Sequence, residues 1–279
     1  MRKMRLGLSF VVAAVSFLLL VACGDDDSDF ATRPSEGPSS SSVIQQSSSS
    51  VKSSSSVASS SSEKAVSSSS KVSVPVEVTT GTMTDSRDGQ MYKTVTIGTQ
   101  TWMAENLNYE MDSSFCYNDS AKYCAKYGRL YTWAAAMDSV GTWSANGKGC
   151  GFEKTCSPTY PVRGICPDGW HLPTKAEFET LFTAVGGQST AGKMLKSTTG
   201  WAAYSGITNE DAFAFSALPA GYRYYYGYYY FEGSNAYFWS STESNRSYAY
   251  SVCLYYNNDN AYLGNGGKGY GFSVRCLQD

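Results

Sequence analysis

Five runs of four consecutive serines, at 39–42, 47–50, 53–56, 59–62 and 67–70, restrict where this chain can fold. Short insertions separate them, among them Val51, Lys52, Glu63 and Lys64. Such a segment cannot bury enough apolar surface to offset the entropy of ordering it, so the sequence predicts a disordered tether. Between Gly24 and about residue 80, a flexible coil has a typical span of roughly 40 Å by square-root scaling. That is long enough to hold a domain away from a surface. The serine density also permits O-glycosylation.

The N-terminal end predicts what the tether is tied to. Arg2, Lys3 and Arg5 precede an apolar run from Leu6 to Val21, which is short for a bilayer span. The run ends in Leu20-Val21-Ala22-Cys23, which resembles the lipobox of bacterial lipoproteins. The resemblance implies removal of residues 1–22 and diacylation of Cys23, and more than one acyl chain makes membrane attachment stable. Gly24, Asp25, Asp26, Asp27, Ser28 and Asp29 follow. This acidic cluster resembles the surface-export signal of lipoproteins in Bacteroidetes-like lineages. The expected location is therefore the outer membrane, facing the cell exterior.

The composition changes at about Thr82 and stays rich in Trp, Tyr, Gly and Cys to Asp279. About two hundred residues suffice for one domain with a substantial core. The expected organisation is a signal peptide at 1–22, the lipidated cysteine, acidic leader and linker at 23–81, and one globular domain at 82–279. A net charge of −2 offers no basic footprint for nucleic acid.

The elements of this domain read as α+β. Met91–Ile97 alternates and is β-branched, Gly98-Thr99 can turn, and Gln100–Ala104 continues as a second strand. Arg129–Met137 reads as a short helix. Thr174 as N-cap with Glu177 at N3 forms a capping box for a helix carrying Phe178, Leu181, Phe182 and Val185, stopped by Gly186-Gly187. Strand-like pieces follow at Ala212–Leu218, Tyr224–Phe231, Ala236–Ser240, Ala249–Tyr255 and Gly271–Cys276.

Setting Cys23 aside, seven cysteines remain, and seven is odd. Cys116 and Cys124 bracket a short loop, as do Cys150 and Cys156, and both pairs fit local disulfides of a secreted domain. The other three are Cys166, Cys253 and Cys276. No CxxC pair is present and His171 is the sole histidine, so no metal site or cofactor is expected.

Five motifs occur in order: Thr101-Trp102-Met103-Ala104-Glu105-Asn106-Leu107; Tyr127-Gly128-Arg129-Leu130-Tyr131-Thr132-Trp133; Cys166-Pro167-Asp168-Gly169-Trp170-His171-Leu172-Pro173-Thr174; Phe238-Trp239-Ser240-Ser241-Thr242-Glu243; and Gly271-Phe272-Ser273-Val274-Arg275-Cys276. Together they resemble the Fibrobacter succinogenes major paralogous domain family over roughly residues 83–279. The family-like placement implies a Cys166–Cys276 disulfide from the middle of the domain to its last strand, leaving Cys253 over. The closing Gly-Phe-x-Val-Arg pattern resembles the formylglycine-generating-enzyme-like branch of C-type lectin folds. It implies, by analogy, a single C-type-lectin-like domain. No activity carries over. The redox cysteine pair of those enzymes has no counterpart here. The calcium pattern of sugar-binding lectins, Glu-Pro-Asn with a later Trp-Asn-Asp, is absent. Asn257-Asn258-Asp259-Asn260 reads as a polar loop rather than a calcium site.

Tyrosine carries the functional expectation. Fourteen of the 22 tyrosines lie between Tyr222 and Tyr270, among Asn, Ser, Gly and Asp. A strand shows alternate residues to opposite faces, so an unbroken tyrosine run places rings on an outer face. Tyr with Ser, Gly and Asn is the composition of antibody paratopes. It also resembles the diversified regions of lectin-fold variable proteins. The expected contact residues are Tyr224, Tyr226, Tyr228, Tyr230, Tyr237, Tyr255, Tyr256 and Tyr262, with Arg223, Asn257, Asn258 and Asn260 as polar partners. The expected function is a lipid-anchored surface binding or adhesion module for a glycan, plant polymer or protein. The alternative is an extracytoplasmic lectin-fold enzyme. A closed polar pocket holding Cys253 or His171 against carboxylates would favour it. His171 itself reads as a packing residue, and no spacing singles out two of the carboxylates Asp138, Glu177, Glu179, Glu210, Asp211, Glu232 and Glu243.

Overall fold

The computed structural model describes residues 78–279; Cys23, the acidic leader and the serine runs lie outside the described residues. The first strand, β1 (Val78–Thr84), pairs antiparallel with β2 (Met91–Ile97). Folded backbone therefore begins ahead of the Thr82 boundary. Val78, Thr79 and Thr80 have the composition of the tether, yet they face Ile97, Thr96 and Val95 across the ladder. In β2, Tyr92, Val95 and Ile97 are buried while Met91 and Lys93 are exposed. Gly98, at φ 62°, turns the chain into β3 (Gln100–Met103).

Next come β4 (Ser114–Phe115), a 3-10 turn at Tyr117–Asp119, α1 (Ala121–Tyr127), β5 (Leu130–Tyr131) and α2 (Trp133–Ala136). The expectation of one helix over Arg129–Met137 is thus corrected. Leu130 and Tyr131 pair with Phe115 and Ser114, and the Thr132 side chain accepts from the Ala135 amide to start a separate short helix. After β6 (Trp170–His171), α3 (Lys175–Ala184) starts at the expected capping box. Thr174 Oγ1 accepts from Glu177 N at 3.2 Å, and Glu177 Oε2 accepts from Thr174 N at 2.7 Å. Gly187 ends that helix region and is at once the N-cap of α4 (Gln188–Leu195), which has no counterpart in the sequence reading.

The C-terminal third holds β7 (Tyr222–Arg223), β8 (Tyr229–Tyr230), β9 (Asn235–Glu243), β10 (Tyr248–Tyr255), β11 (Ala261–Gly267) and β12 (Leu277–Gln278). Three expected strands are absent as such, and of Tyr224–Phe231 only Tyr229–Tyr230 is strand. Ala212–Leu218 is a loop with Ala214 and Ser216 at positive φ, touching a neighbour through a bridge at Ala217. Gly271–Cys276 threads between elements through bridges at Gly271, Phe272 and Ser273.

The fold is α+β. A five-stranded antiparallel sheet has the order β1-β2-β3-β12-β6, and a three-stranded one has the order β11-β10-β9. Leu277 of β12 lies opposite both Trp102 of β3 and His171 of β6, so the last strand completes the first sheet. One core cluster packs α3 and α4 on Trp102, whose ring lies 5.1 Å from Phe178 and 5.9 Å from Phe215. A second gathers Trp133, Trp239, Phe272, Tyr222 and Tyr237.

All three expected disulfides are present: Cys116–Cys124, Cys150–Cys156 and Cys166–Cys276. The expectation of a spare thiol is corrected. Cys253 is disulfide-bonded.

His171 ties the last residue to this frame. Its Nδ1 lies 2.7 Å from Asp279 Oδ1 and its Nε2 lies 3.0 Å from Glu177 Oε1. Burial pulls the imidazole pKa down, but the hydrogen bonds to Glu177 and Asp279 outweigh it and leave the pKa above 6.5. Burial pushes Glu177 up, and the bonds from His171 and Thr174 reverse this and leave it below 4.5. The raised histidine stabilises the fold fully below 6.5, and this is lost as pH rises through the folded value. The lowered glutamate stabilises it above 4.5, and this is lost as pH falls through its folded value. Thermal stability should therefore be greatest between about pH 4.5 and 6.5. Because His171 is the sole histidine, His171→Asn should flatten the decline above pH 6.5 in a melting series. A decline of unchanged steepness would place the cause elsewhere.

Candidate functional site

The tyrosine run is a hairpin rather than one strand. Tyr222 faces Tyr230 and Arg223 faces Tyr229. The chain reverses over Tyr224–Tyr228, with Tyr224 N donating to Tyr228 O at 2.7 Å and Gly227 at φ 96°. Gly227 explains the departure from the expected alternation, since a left-handed residue breaks the strand. At the hairpin's foot, a Cβ on Gly221 would stand 2.2 Å from Tyr230 O, so the strands can close here only on glycine.

The rings grade from core to solvent. Tyr222 is buried, with Tyr237 at 5.3 Å, Tyr230 at 5.6 Å and Tyr270 at 5.7 Å between centroids. Tyr224 is half-buried and leans on Tyr225 at 4.3 Å and Tyr270 at 5.0 Å. At the tip, Tyr226 is 71% and Tyr228 64% exposed, with Tyr225, Tyr230 and Phe231 also exposed. Arg223 holds its guanidinium 3.8 Å from the centroid of the Phe115 ring, under the turn. Two polar contacts fix the hairpin to the body: Tyr229 Oη to Asp119 Oδ1 at 2.5 Å, and Tyr127 Oη to Glu232 Oε1 at 2.5 Å. Burial, followed by the Asp119 carboxylate, pushes Tyr229 up to about 12, so its phenol stays protonated as a donor.

The expected contact residues therefore divide. Tyr226, Tyr228 and Tyr230 are exposed at the hairpin, and Tyr224 and Arg223 are half-buried beneath them. Tyr237 is 1% exposed and belongs to the core, which corrects its place in the candidate surface. It faces Cys253 in the middle of the three-stranded sheet, so its ring packs inward on Phe272 at 4.9 Å. Tyr255, Tyr256, Tyr262, Asn257, Asn258 and Asn260 lie instead at the β10–β11 connection. There Asn258 and Asn260 both donate to Tyr262 Oη, at 2.7 and 3.2 Å, and Lys196 Nζ donates to Tyr255 O and Asn258 O. Burial pulls that lysine down to about 8. Among the described residues, no group of three His, Cys, Asp or Glu side chains that could hold a metal ion gathers at this loop or elsewhere. Tyr225, Phe231 and Tyr270 join the hairpin surface although the alternation rule passes over them.

The residues that would signal an enzyme are otherwise engaged. Cys253 is disulfide-bonded. His171 does meet two carboxylates, Glu177 and Asp279, but it is buried at the joint of β6, α3 and the last residue.

A model of the Fibrobacter succinogenes major domain matches residues 95–278. The chain belongs to this family. No curated protein and no solved structure matches it. In this Fibrobacter succinogenes major domain the ordered motifs are the joints of the fold. Asn106 donates to Tyr127 O at 2.8 Å and accepts from Arg275 Nε at 2.8 Å, which links three of them. A Cβ on Gly128 would lie 2.8 Å from both Asn106 O and Leu107 O. Trp133 Nε1 donates to Ser240 O at 2.8 Å, and Trp239 Nε1 to Tyr131 O at 2.7 Å. The exposed hairpin tyrosines stand outside these motifs.

Stability measurements should separate the two kinds of tyrosine. Tyr237→Ala should cost about 3–5 kcal/mol by emptying a packed site. Tyr226→Ala should stay within about 0.5 kcal/mol, as surface changes do. Equal losses in chemical denaturation would contradict this division.

Proposed function

We propose that this protein is a lipid-anchored cell-surface binding module whose contact surface is the aromatic hairpin Tyr222–Phe231. The carrying observation is that five neighbouring rings, Tyr225, Tyr226, Tyr228, Tyr230 and Phe231, are exposed on one hairpin that is itself fastened at its base. Exposed aromatic patches are an aggregation liability on an idle surface. Rigid amphipathic rings give large contact area at small entropy cost, which is why tyrosine concentrates in binding sites. The ligand is a glycan, a plant polymer or a protein. Among the described residues, no helix is long and apolar enough to cross a membrane. The lipobox at Cys23 and the acidic residues after it support attachment to the outer membrane, facing outward. We further propose that the α+β domain is C-type-lectin-like. The pairing of β12 with β3 and the closing Gly-Phe-x-Val-Arg pattern support that reading.

A Tyr226→Ala/Tyr228→Ala double variant tests the surface. Against polysaccharide pull-downs, it should lose a wild-type signal by about tenfold or more, equivalent to at least about 1.4 kcal/mol, at unchanged melting temperature. Retained binding would move the contact surface elsewhere. Separately, Cys23→Ala should shift the protein from the membrane to the soluble fraction. An unmodified N-terminus in mass spectrometry of the wild type would overturn the anchor.

A further inference from the structure

A second candidate site lies away from the hairpin. A groove of about 950 Å³ opens between β2, the C-terminal turn of α1, the Ala104–Asn108 segment and the loops at 197–199 and 211–218. No residue from Tyr222 to Phe231 lines it. Its volume falls in the roughly 300–1,000 Å³ range of small-molecule sites.

The chemistry of its walls narrows the ligand. Its charged groups balance, with Lys93 and Lys126 against Glu105 and Asp211. Glu105 Oε2 accepts from Lys93 N at 2.8 Å, Lys126 Nζ lies 3.3 Å from Glu232 Oε1, and Asp211 accepts from Ser216 N and Oγ at 2.7 and 2.6 Å. No excess of one sign is left to draw an ion. The remaining lining groups are largely hydroxyls and amides. One of them, Asn108 Oδ1, is a buried acceptor with no hydrogen-bond partner. An acceptor shut away from water without a donor is costly, and rotation of the Asn108 side chain toward the groove would let a ligand hydroxyl supply one. The aromatic rings on the floor, Tyr92 and Tyr127, are buried and offer edges and packing rather than an open stacking face.

One wall is held in an unusual backbone conformation. Asp211, Ala214 and Ser216 have φ of 46°, 53° and 52°, a region that residues with a Cβ seldom adopt. The loop is kept there from both sides. Asp211 caps Ser216, and Arg275, fully buried behind it, donates to Phe215 O and to Ser216 O. Strain that the surrounding structure over-determines is found where a site is pre-shaped. It places Asp211, Ala214 and Ser216 on the groove in a fixed arrangement.

We propose that this groove binds a neutral oligosaccharide through hydroxyl and amide hydrogen bonds, as a site separate from the tyrosine hairpin. The test is titration of the full chain with soluble maltohexaose, cellohexaose and xylohexaose, with hexagalacturonate as the anionic comparison, followed by calorimetry. At least one neutral hexamer should bind saturably and more tightly than hexagalacturonate. Asn108→Leu, which removes the acceptor, and Thr199→Trp, which fills the mouth from an exposed position, should each weaken it by about tenfold or more. Tyr226→Ala/Tyr228→Ala should leave it unchanged. If Asn108→Leu does not fold, Thr199→Trp decides alone. Three outcomes overturn the proposal: no neutral hexamer saturates, hexagalacturonate binds best, or the hairpin variant loses binding that the folded groove variants keep. The hairpin's own role is read on polymer pull-downs, so failure of either site is recognised separately.

Discussion

The guanidinium of Arg275 is the contact on which the rest of this fold depends. It is fully buried and, among the described residues, makes no ion pair, so its donors must be met by neutral acceptors. Asn106 Oδ1, Phe215 O and Ser216 O take them, and the planar group lies over the rings of Phe215 and Phe238, at 4.5 and 5.5 Å. Burial pulls its pKa down to about 9, against the opposing pull of Asp211 and Glu105. One side chain near the C-terminus thus joins the segment after β3, the 211–216 loop and the three-stranded sheet. A lysine has the charge but lacks the fork of donors that reaches all three.

Because Arg275 fixes the segment before β12, the last strand can enter the first sheet between β3 and β6. The Cys166–Cys276 disulfide closes the same joint covalently, and His171 clasps Asp279 beyond it. Lys268 makes a comparable buried link on the far side. It is 1% exposed, pairs with Glu243, and lies 4.5 Å from the centroid of the Trp133 ring. Glu243 in turn accepts from Cys156 N, so the Cys150–Cys156 loop is held to β9. With so many joints between elements, much of the chain can run as loop and still be fixed. That freedom leaves the hairpin and the groove available for contact.

How much of this was legible in the sequence varied with the kind of signal. Elements with a strict local code were readable: the β2 alternation, the Gly98-Thr99 turn, the Thr174–Glu177 capping box and the two short disulfide loops. Elements set by distant partners were not. β11 reads as a loop because of Gly264, Gly266 and Gly267, yet a Cβ on Gly266 would meet the Phe272 ring at 2.4 Å and Trp239 at 2.9 Å. Its glycine is required by rings elsewhere in the chain. Ala212–Leu218 alternates like a strand, but the demands of Arg275 and Asp211 force left-handed residues into it.

The candidate contact residues were legible as a composition and not as positions. A run of tyrosines between glycines fixes that rings will face solvent somewhere, but not which ones. Gly221 and Gly227 decide the register and the turn, and the body decides which ring finds Phe272 and Tyr270 first. Tyr237 met the same compositional criterion as Tyr226 and is packed in the core instead. The five motifs have the opposite character. Each fixes a position, such as Gly128 against two carbonyls or Asn106 between Tyr127 and Arg275, because one residue type alone fits there. Such constraint marks joints of the scaffold. A recognition surface carries weaker positional constraint, since many arrangements of exposed rings satisfy the backbone equally. The five motifs therefore report how the domain holds together, and the exposed hairpin rings lie outside them.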